Sequence, residues 1–96
     1  MMQEEFNIDE FTSLFYTHLN EEEKIRINIL FESFKKEDWI KLINVWKKSS
    51  SLLRYNNMKN EIIIILNKYQ LNIPIFIHIY SNILLGIQYY VDKKSN

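Results

Sequence analysis

Cysteine and alanine are absent from this chain of 96 residues, and glycine and proline occur once each. Without cysteine the chain can form no disulfide, thiolate metal site or thiol nucleophile, a composition that suits a reducing compartment, and we expect a cytoplasmic protein. A single glycine and a single proline leave too few turn residues for an all-β fold of many strands. A phosphate-binding loop built on several glycines is excluded for the same reason.

Apolar and aromatic residues are plentiful, at 47% and 15% of the chain. This content predicts a globular protein, and the length predicts one domain over residues 1–96, with frayed ends at 1–6 and 92–96. Isoleucine occurs 16 times and asparagine 11 times. Together with the absence of alanine, this bias indicates an AT-rich genome and weakens any β-propensity argument based on isoleucine.

Neither a secretory signal nor a membrane span is predicted. The N-terminus reads Met-Met-Gln-Glu-Glu and carries two acids and no basic side chain, whereas a secretory signal needs a basic start and an apolar run. Residues 69–91 carry no formal charge, but eight polar or helix-breaking residues interrupt them. A spanning helix of about 20 predominantly apolar residues is therefore not expected there.

The spacing of apolar residues predicts helices with recognisable starts. Asn7 with Glu10 forms a capping-box pattern, and Asn20 opens a second helix in the same manner. A third helix is predicted over about 38–48, and a last one from Pro74 to Val91, since proline suits a first turn. The predicted core faces of the first three helices comprise Ile8, Phe11, Phe15 and Leu19, then Ile27, Leu30, Phe31 and Phe34, then Trp39, Leu42, Ile43 and Trp46.

The remaining segments leave alternatives open. Residues 36–38 read as a turn or a kink, and residues 52–57 as a short helical piece or a loop. Asn57 is predicted to cap a helix that runs to about Gln70. Residues 62–66 and 73–79 also fit buried strands, but Pro74 disfavours a central strand and no hairpin dipeptide separates the two runs.

The predicted fold is all-α: a compact single-domain bundle of four to five helices. The C-terminal helix is expected to be the most buried, because it is apolar nearly all round. Its one glycine, Gly86, is expected to let a neighbouring helix approach closely. A narrow strip on this helix is interpreted as its solvent-facing side, with a small polar pocket as the alternative reading; it comprises His78, Asn82, Leu85 and Tyr89.

No catalytic, metal or cofactor site is predicted, and we expect a protein that is not an enzyme. The only histidines are His18 and His78, and neither has an elbow glycine or a nucleophile at a characteristic spacing. His18 with Glu22 could hold a metal or a proton. The predicted helix break at Asn20 lies between them, so the pair is interpreted as a surface ion pair.

Charge is unevenly distributed although the net charge is zero. Residues 1–34 carry eight acids and two bases (−6), residues 35–59 seven bases and two acids (+5), and the remainder +1. On the second helix, Ile25 and Ile29 lie opposite the predicted core face and share their side with Glu22 and Glu32. They are either buried within the bundle or part of a partner surface rimmed by acids. We predict a site for a basic partner protein at Glu22, Ile25, Ile29 and Glu32.

The basic middle stretch supports an alternative, contact with the nucleic-acid backbone. Its candidate residues are Lys35, Lys36, Lys41, Lys47, Lys48 and Arg54, with Trp39, Trp46 and Tyr55 interleaved. Aromatic rings can stack on exposed bases. Both tryptophans fall on the predicted core face, however, and a net charge of zero is unusual for a nucleic-acid-binding domain.

The leading functional hypothesis is a non-enzymatic helical interaction module: an inhibitor, an immunity protein or a subunit of a larger assembly. The alternative is a small helical subunit of a nucleoprotein complex. In size and architecture alone, the predicted bundle is similar to bacteriocin immunity proteins, to phage-encoded inhibitors of host defence and to the small helical subunits of CRISPR effector complexes. No residue motif carries that similarity, and the sequence does not predict the oligomeric state.

Overall fold

The computed structural model describes residues 6–71 and 76–95, with the backbone alone described for 76–78. Its described residues contain no strand. The Cα radius of gyration is 12.9 Å, close to the value of about 12.5 Å expected for a compact domain of this length. The predicted all-α single-domain bundle is therefore confirmed, with helices α1 (Ile8–Thr17), α2 (Glu21–Ser33), α3 (Lys36–Lys48), α4 (Ser51–Lys68) and α5 (Phe76–Ser95).

Asparagine caps begin the first two helices, as predicted. Asn20 and Glu23 form a complete capping box, in which each side chain accepts a hydrogen bond from the other residue's backbone N–H. At α1 only half of the predicted box forms, because Asn7 accepts from the Glu10 backbone N–H at 3.0 Å. The Glu10 carboxylate lies instead against Lys93 and Lys94 of α5.

Residues 36–38 are neither the turn nor the kink that the sequence left open, because they form the first turn of α3. α3 begins at Lys36, and the Asp38 carboxylate accepts a hydrogen bond from the Lys35 backbone N–H at 2.9 Å. The predicted start at residue 38 is therefore two residues late. The first helical turn of α3 consists of charged residues, so the apolar spacing that predicts a helix begins only at Trp39.

The predicted start of the fourth helix at Asn57 is wrong. α4 begins at Ser51, with Ser50 as its cap, so residues 52–57 are helical rather than a loop. Arg54 explains the early start, because its guanidinium donates to the backbone carbonyls of Trp46 and Ser49 at 3.0 and 3.1 Å. These bonds link the last turn of α3 to the first turn of α4 across a two-residue corner.

The end of α4 is a Schellman motif. Leu71 N–H donates to the carbonyl of Leu66, Gln70 N–H donates to that of Asn67, and Gln70 has a left-handed φ of 56°. Residues 62–66 are helical within α4, so the strand reading is excluded there. Of the second strand candidate, 76–79 are helical in α5, while 73–75 lie outside the described residues.

α5 extends to Ser95, four residues beyond the predicted end at Val91. The predicted frayed tail is thus helical over 92–95, where Lys93 and Lys94 suit the negative end of the helix dipole. At the other predicted frayed end, residues 1–5 lie outside the described part. Phe6 packs against Phe11 and Tyr90 at ring distances of 5.3 and 5.7 Å.

The C-terminal helix supplies five core side chains from its described part, more than any other helix: Ile79, Ile83, Leu84, Ile87 and Tyr90. It packs against α1, α2 and α3, while α4 packs against α3. Rings from α1, α2 and α3 meet at the centre, where Trp39 is 5.1 Å from Phe11 and stacks on Phe31 at 4.8 Å. Across residues 6–71 and 76–95, no helix has both the length and the apolar character needed to cross a bilayer.

Candidate interaction surfaces

Ile25 and Ile29 point away from the bundle, which decides the question that the sequence left open. Ile25 is 70% exposed and Ile29 is 39% exposed, whereas Ile27 and Leu30 of the same helix are buried. Glu22 and Glu32 are exposed on the same outward side. Glu22 lies three residues before Ile25, and Glu32 lies three residues after Ile29. We name this strip, Glu22, Ile25, Ile29 and Glu32, the α2 ridge.

The carboxylates along the α2 ridge have partners within their own helix. Glu22 pairs with Arg26 one turn later, and Asn28 donates to Glu32 at 3.2 Å. Burial and the nearby Glu32 carboxylate together raise the pKa of Tyr16, which contacts Asn28. Ion pairs between exposed residues one turn apart contribute little in water.

The predicted ion pair between His18 and Glu22 does not form. The His18 ring stacks on Tyr89 of α5 at 3.7 Å, and Glu22 pairs with Arg26 instead. The two residues lie on either side of the Asn20 cap, where the chain changes direction, so one-turn spacing does not bring them onto one helix face. His18 thereby serves as a contact between the end of α1 and α5.

The strip on α5 is only partly open to solvent. Leu85 and Tyr89 are 41% and 37% exposed, in keeping with the predicted solvent-facing side. Asn82 is half-buried and donates to Glu23 at 3.3 Å. The side chain of His78 lies outside the described residues. Asn82 and Leu85 of the strip also line a pocket of about 350 Å³ between α5 and the α3–α4 corner, with Trp46 on its opposite side. This pocket corresponds to the alternative reading of the strip.

Two of the six basic residues of the nucleic-acid hypothesis have partners within the bundle. Arg54 is half-buried and lies over the Trp46 ring at 4.6 Å, so its charge serves the α3–α4 corner. Lys41 pairs with Glu61 of α4 at 3.2 Å. Trp39 is buried, as predicted, whereas Trp46 is only half-buried. The other four basic residues, Lys35, Lys36, Lys47 and Lys48, are exposed.

A groove of about 690 Å³ runs between α3 and α4. Ile40 and Val45 supply apolar lining, and Lys41 and Lys48 supply positive charge. Asn44, Asn57, Asn60 and Glu61 are among its other lining residues. We name it the α3–α4 groove. The sequence did not predict this groove. With the start of α4 placed at Asn57, the first two turns of α4 are missing, and these turns form part of one wall of the groove.

A second feature missed from the sequence is a buried carboxylate. Asp38 is 5% exposed and accepts hydrogen bonds from Lys68 at 2.6 Å, from the Tyr69 hydroxyl and from the Lys35 backbone N–H. Burial acts to raise the pKa of Asp38, but these three hydrogen bonds outweigh it and hold the pKa below its usual range. The bond to Asp38 in turn raises the pKa of Lys68.

Within the described part of the chain, no three histidine or acidic side chains are grouped as metal ligands. The Asp38 carboxylate accepts hydrogen bonds from Lys68 and Tyr69, which connect α3 to the end of α4. The exposed features of the described residues include the α2 ridge, the α3–α4 groove, the corner pocket and a shallow depression beside Ile25 that Tyr16 and Lys24 help to line.

Comparison of the chain with protein-family models, curated proteins and solved structures gives no significant match.

Proposed function

We propose that this chain is a non-enzymatic protein–protein interaction module that binds a basic partner protein through the α2 ridge. Its biological setting would be that of an inhibitor, an immunity protein or a subunit of a larger assembly. The observation that carries the proposal is the 70% exposure of Ile25 on the outward side of an acidic helix. Neither the core nor the capping of α2 needs an isoleucine at that position.

The energetics of such a contact favour an apolar centre with a charged rim. Burying one isoleucine side chain contributes about 1.5–3 kcal/mol, so Ile25 and Ile29 together can anchor a modest interface. Glu22 and Glu32 would add attraction for a basic surface, which acts mainly on the association rate and on the choice of partner. Salt should therefore weaken the binding without abolishing it.

The test is affinity capture of the tagged chain from its native cell, with and without nuclease treatment, followed by reconstitution with the purified partner. Ile25→Glu removes the apolar centre, and Leu52→Glu is the matched control, because Leu52 is an apolar helix residue that is 87% exposed elsewhere. Both variants should keep the helical circular-dichroism spectrum and melting temperature of the parent chain, since neither side chain contributes to the core.

We expect a stoichiometric protein partner that survives nuclease treatment, binds Leu52→Glu as it binds the parent chain, and loses at least tenfold affinity for Ile25→Glu. Equal binding of the two variants would show that the partner docks elsewhere. Unfolding of Ile25→Glu would return Ile25 to a structural role.

A second candidate, a nucleoprotein subunit, is favoured by one observation: the exposed charged side chains of α3 are four lysines and Glu37. Under this hypothesis, Lys36→Gln/Lys48→Gln should weaken binding of a fluorescent single-stranded RNA, and added salt should weaken it steeply. Lys24→Gln is the matched control, because Lys24 lies on the acidic helix α2. Salt-independent binding, or equal loss in the control, would reject this candidate.

A further inference from the structure

We infer that the corner pocket binds a small aromatic carboxylate. The corner pocket is the cavity of about 350 Å³ between α5 and the α3–α4 corner. Its volume lies at the lower end of the range of about 300–1,000 Å³ that small-molecule sites occupy. None of the α2 ridge residues lines it. Ligand binding there is therefore a further function beyond the proposed partner binding, and the two sites can be tested independently.

Three helices border the corner pocket, and contacts between them hold its walls in place. Arg54 of α4 donates to the carbonyls of Trp46 and Ser49 at the end of α3. The Tyr80 hydroxyl of α5 donates to the carbonyl of Tyr55 on α4 at 2.7 Å, and the two rings pack at 5.6 Å. Because these contacts are internal to the chain, the pocket is formed before a ligand binds, as is usual for small-molecule sites.

Arg54 is the one charged side chain among the described residues that line the pocket. Its guanidinium is half-buried, and within residues 6–71 and 76–95 it forms no ion pair with a carboxylate. Two of its N–H groups donate to carbonyls of α3, which carry no net charge, and a guanidinium has about five such groups in all. A ligand with a single negative charge would therefore balance Arg54 and accept hydrogen bonds from the remaining N–H groups. Guanidinium–carboxylate hydrogen bonds are among the strong ones.

The position of Glu23 indicates how the ligand is oriented. Asn82 of α5 lines the pocket and donates to the Glu23 carboxylate at 3.3 Å, so negative charge lies on the α5 side. Arg54 projects from α4, where the Ser51 hydroxyl also belongs to the lining. We therefore expect the carboxylate of the ligand at the α4 side and its apolar part toward α5.

Aromatic and aliphatic side chains surround the place of the apolar part: Trp46 of α3, Tyr55 of α4, and Leu84 and Leu85 of α5. Leu84 is nearly buried, whereas Tyr55 and Leu85 are exposed. A ligand that covers the exposed pair removes apolar surface from water, which favours binding. Since two of these four side chains carry aromatic rings, which pack well against another ring, the lining favours an aromatic body over an aliphatic one.

The first experiment is a titration of the full chain with naphthylacetate, followed by amide and indole signals in NMR spectra. We expect saturable one-to-one binding with a dissociation constant of about 1 mM or tighter. The amides of Arg54 and Leu85 and the indole N–H of Trp46 should shift. The indole N–H of Trp39 in the core and the amide of Ile25 on the α2 ridge should stay unchanged. Absence of saturable binding, or shifts centred on other residues, would overturn the inference.

Analogues with the same ring test the requirement for negative charge. Naphthylacetamide is neutral, and naphthylmethylammonium is a cation. We expect the amide to bind at least about tenfold more weakly than naphthylacetate, because it cannot balance the charge of Arg54, and the cation to bind more weakly still. Acetate, which lacks the aromatic body, should cause no saturable shift. Equal affinity for the carboxylate and the amide would overturn the assignment of a carboxylate ligand.

Gln88→Glu tests the electrostatics of the pocket itself, because it adds one negative charge to the lining with little change in shape. Asn56→Asp is the matched control: it makes the same kind of change at an exposed position of α4 outside the lining. Both variants should melt as the parent chain does, since both side chains are exposed. Arg54→Gln is less suitable, because it also removes the hydrogen bonds of the α3–α4 corner.

We expect Gln88→Glu to weaken the binding of naphthylacetate by about fivefold or more, while Asn56→Asp binds it nearly as the parent chain does. Equal affinity of the two folded variants would show that the ligand lies outside the corner pocket. The proposed function fails separately, because Ile25→Glu should bind naphthylacetate with parental affinity. A chain that binds naphthylacetate in the pocket but captures no protein loses the proposed function alone.

Discussion

The Asp38 carboxylate in the first turn of α3 lies 2.6 Å from the ammonium group of Lys68, at the end of α4. Thirty residues separate the two in the chain. The same carboxylate accepts a hydrogen bond from the neighbouring Tyr69 hydroxyl. This cluster ties the start of one helix to the end of the next and fixes the two walls of the α3–α4 groove relative to each other.

Asp38→Asn should lower the free energy of unfolding by about 2 kcal/mol, the scale for hydrogen bonds to a buried charged group. Breaking a fully buried ion pair typically costs about 3–5 kcal/mol. The loss here should be smaller, because Lys68 is 54% exposed and its ammonium group can be solvated. Glu37→Gln is the matched control in the same helical turn, and it should cost less than about 0.5 kcal/mol. Urea denaturation measures both, and equal losses would show that the Asp38 cluster contributes nothing beyond the helix dipole.

The contribution of Asp38 should also depend on pH. Its pKa in the folded chain lies below the ordinary value of 3.8, so between the two values the unfolded chain binds a proton that the folded chain does not. Stability from Asp38 is therefore fully present above the unfolded value and is lost as pH falls through the folded value. The difference in unfolding free energy between the parent chain and Asp38→Asn should be constant near neutral pH and shrink below about pH 4.

Two other carboxylates also have a lowered pKa. Hydrogen bonds from Lys94 and Lys93 lower the pKa of Glu10, and the Asn20 backbone N–H lowers that of Glu23. They act equally in the parent chain and in Asp38→Asn, so the difference between the two isolates Asp38. A difference that grows as the pH falls would have the wrong sign for this cluster.

Gly86→Ala should destabilise the chain even though alanine favours helix. A Cβ at position 86 would lie 2.5 Å from two ring atoms of Phe15, a buried side chain whose ring packs against Phe31 and Trp39. Overpacking of this kind costs about 1–3 kcal/mol, against a gain in helix propensity of about 1 kcal/mol.

Thermal denaturation measures the effect of Gly86→Ala. Ser81→Ala is the control on the exposed side of the same helix and should be neutral or slightly stabilising. Replacing the Phe15 ring by the smaller leucine side chain should relieve the clash. Phe15→Leu should therefore lower the free energy of unfolding less in the Gly86→Ala background than in the parent chain. Additive effects of the two substitutions would contradict the predicted close approach of α1 and α5.

Gln70→Gly should stabilise the end of α4 by up to about 1 kcal/mol. Gln70 adopts a φ of 56°, a left-handed conformation that costs a residue with a Cβ about 1–2 kcal/mol, and glycine recovers this cost less its own loss of chain entropy. Asn67→Gly, one turn earlier and inside the helix, should destabilise by about 1 kcal/mol. We expect the denaturant midpoint to rise in Gln70→Gly and to fall in Asn67→Gly, relative to the parent chain. A lower midpoint in both variants would argue against the Schellman geometry.

Glu10→Gln should loosen the last turn of α5 without a large effect on global unfolding. The Glu10 carboxylate lies 3.3 Å from Lys93 and 2.8 Å from Lys94, and all three groups reach solvent. Amide hydrogen exchange over residues 92–95 should therefore become faster, while the slowest core amides keep their protection. Unchanged exchange at the end of α5 would show that packing of Val91 and its neighbours alone holds that turn.

Local sequence signals predicted the elements whose causes are local. The Asn20 cap, the alternation of buried and exposed faces on α2 and the buried position of Trp39 all follow from neighbours within one or two helical turns. For Ile25 and Ile29 the sequence left two alternatives, burial within the bundle or exposure on a partner surface, and it could not decide between them. That depended on whether another helix covers α2 on its outer side, which no local pattern records.

Contacts between different helices explain the parts that the sequence did not predict. The first turn of α3 depends in part on Lys68 and Tyr69 at the far end of α4. Arg54 explains the start of α4 at Ser51, because it donates to carbonyls on the other side of the α3–α4 corner. The α3–α4 groove exists only because both ends are placed in this way.

The sequence by itself determined an all-α chain with capped amphipathic helices and a separation of acidic and basic segments, because helix periodicity, capping and charge are properties of short stretches. The tertiary structure decided which outward faces stay uncovered, where the carboxylates and lysines find partners, and that a groove lies between α3 and α4. Those features depend on distances between side chains that lie far apart in the chain, as Asp38 and Lys68 or Glu10 and Lys94 do, and such distances are fixed only when the helices pack.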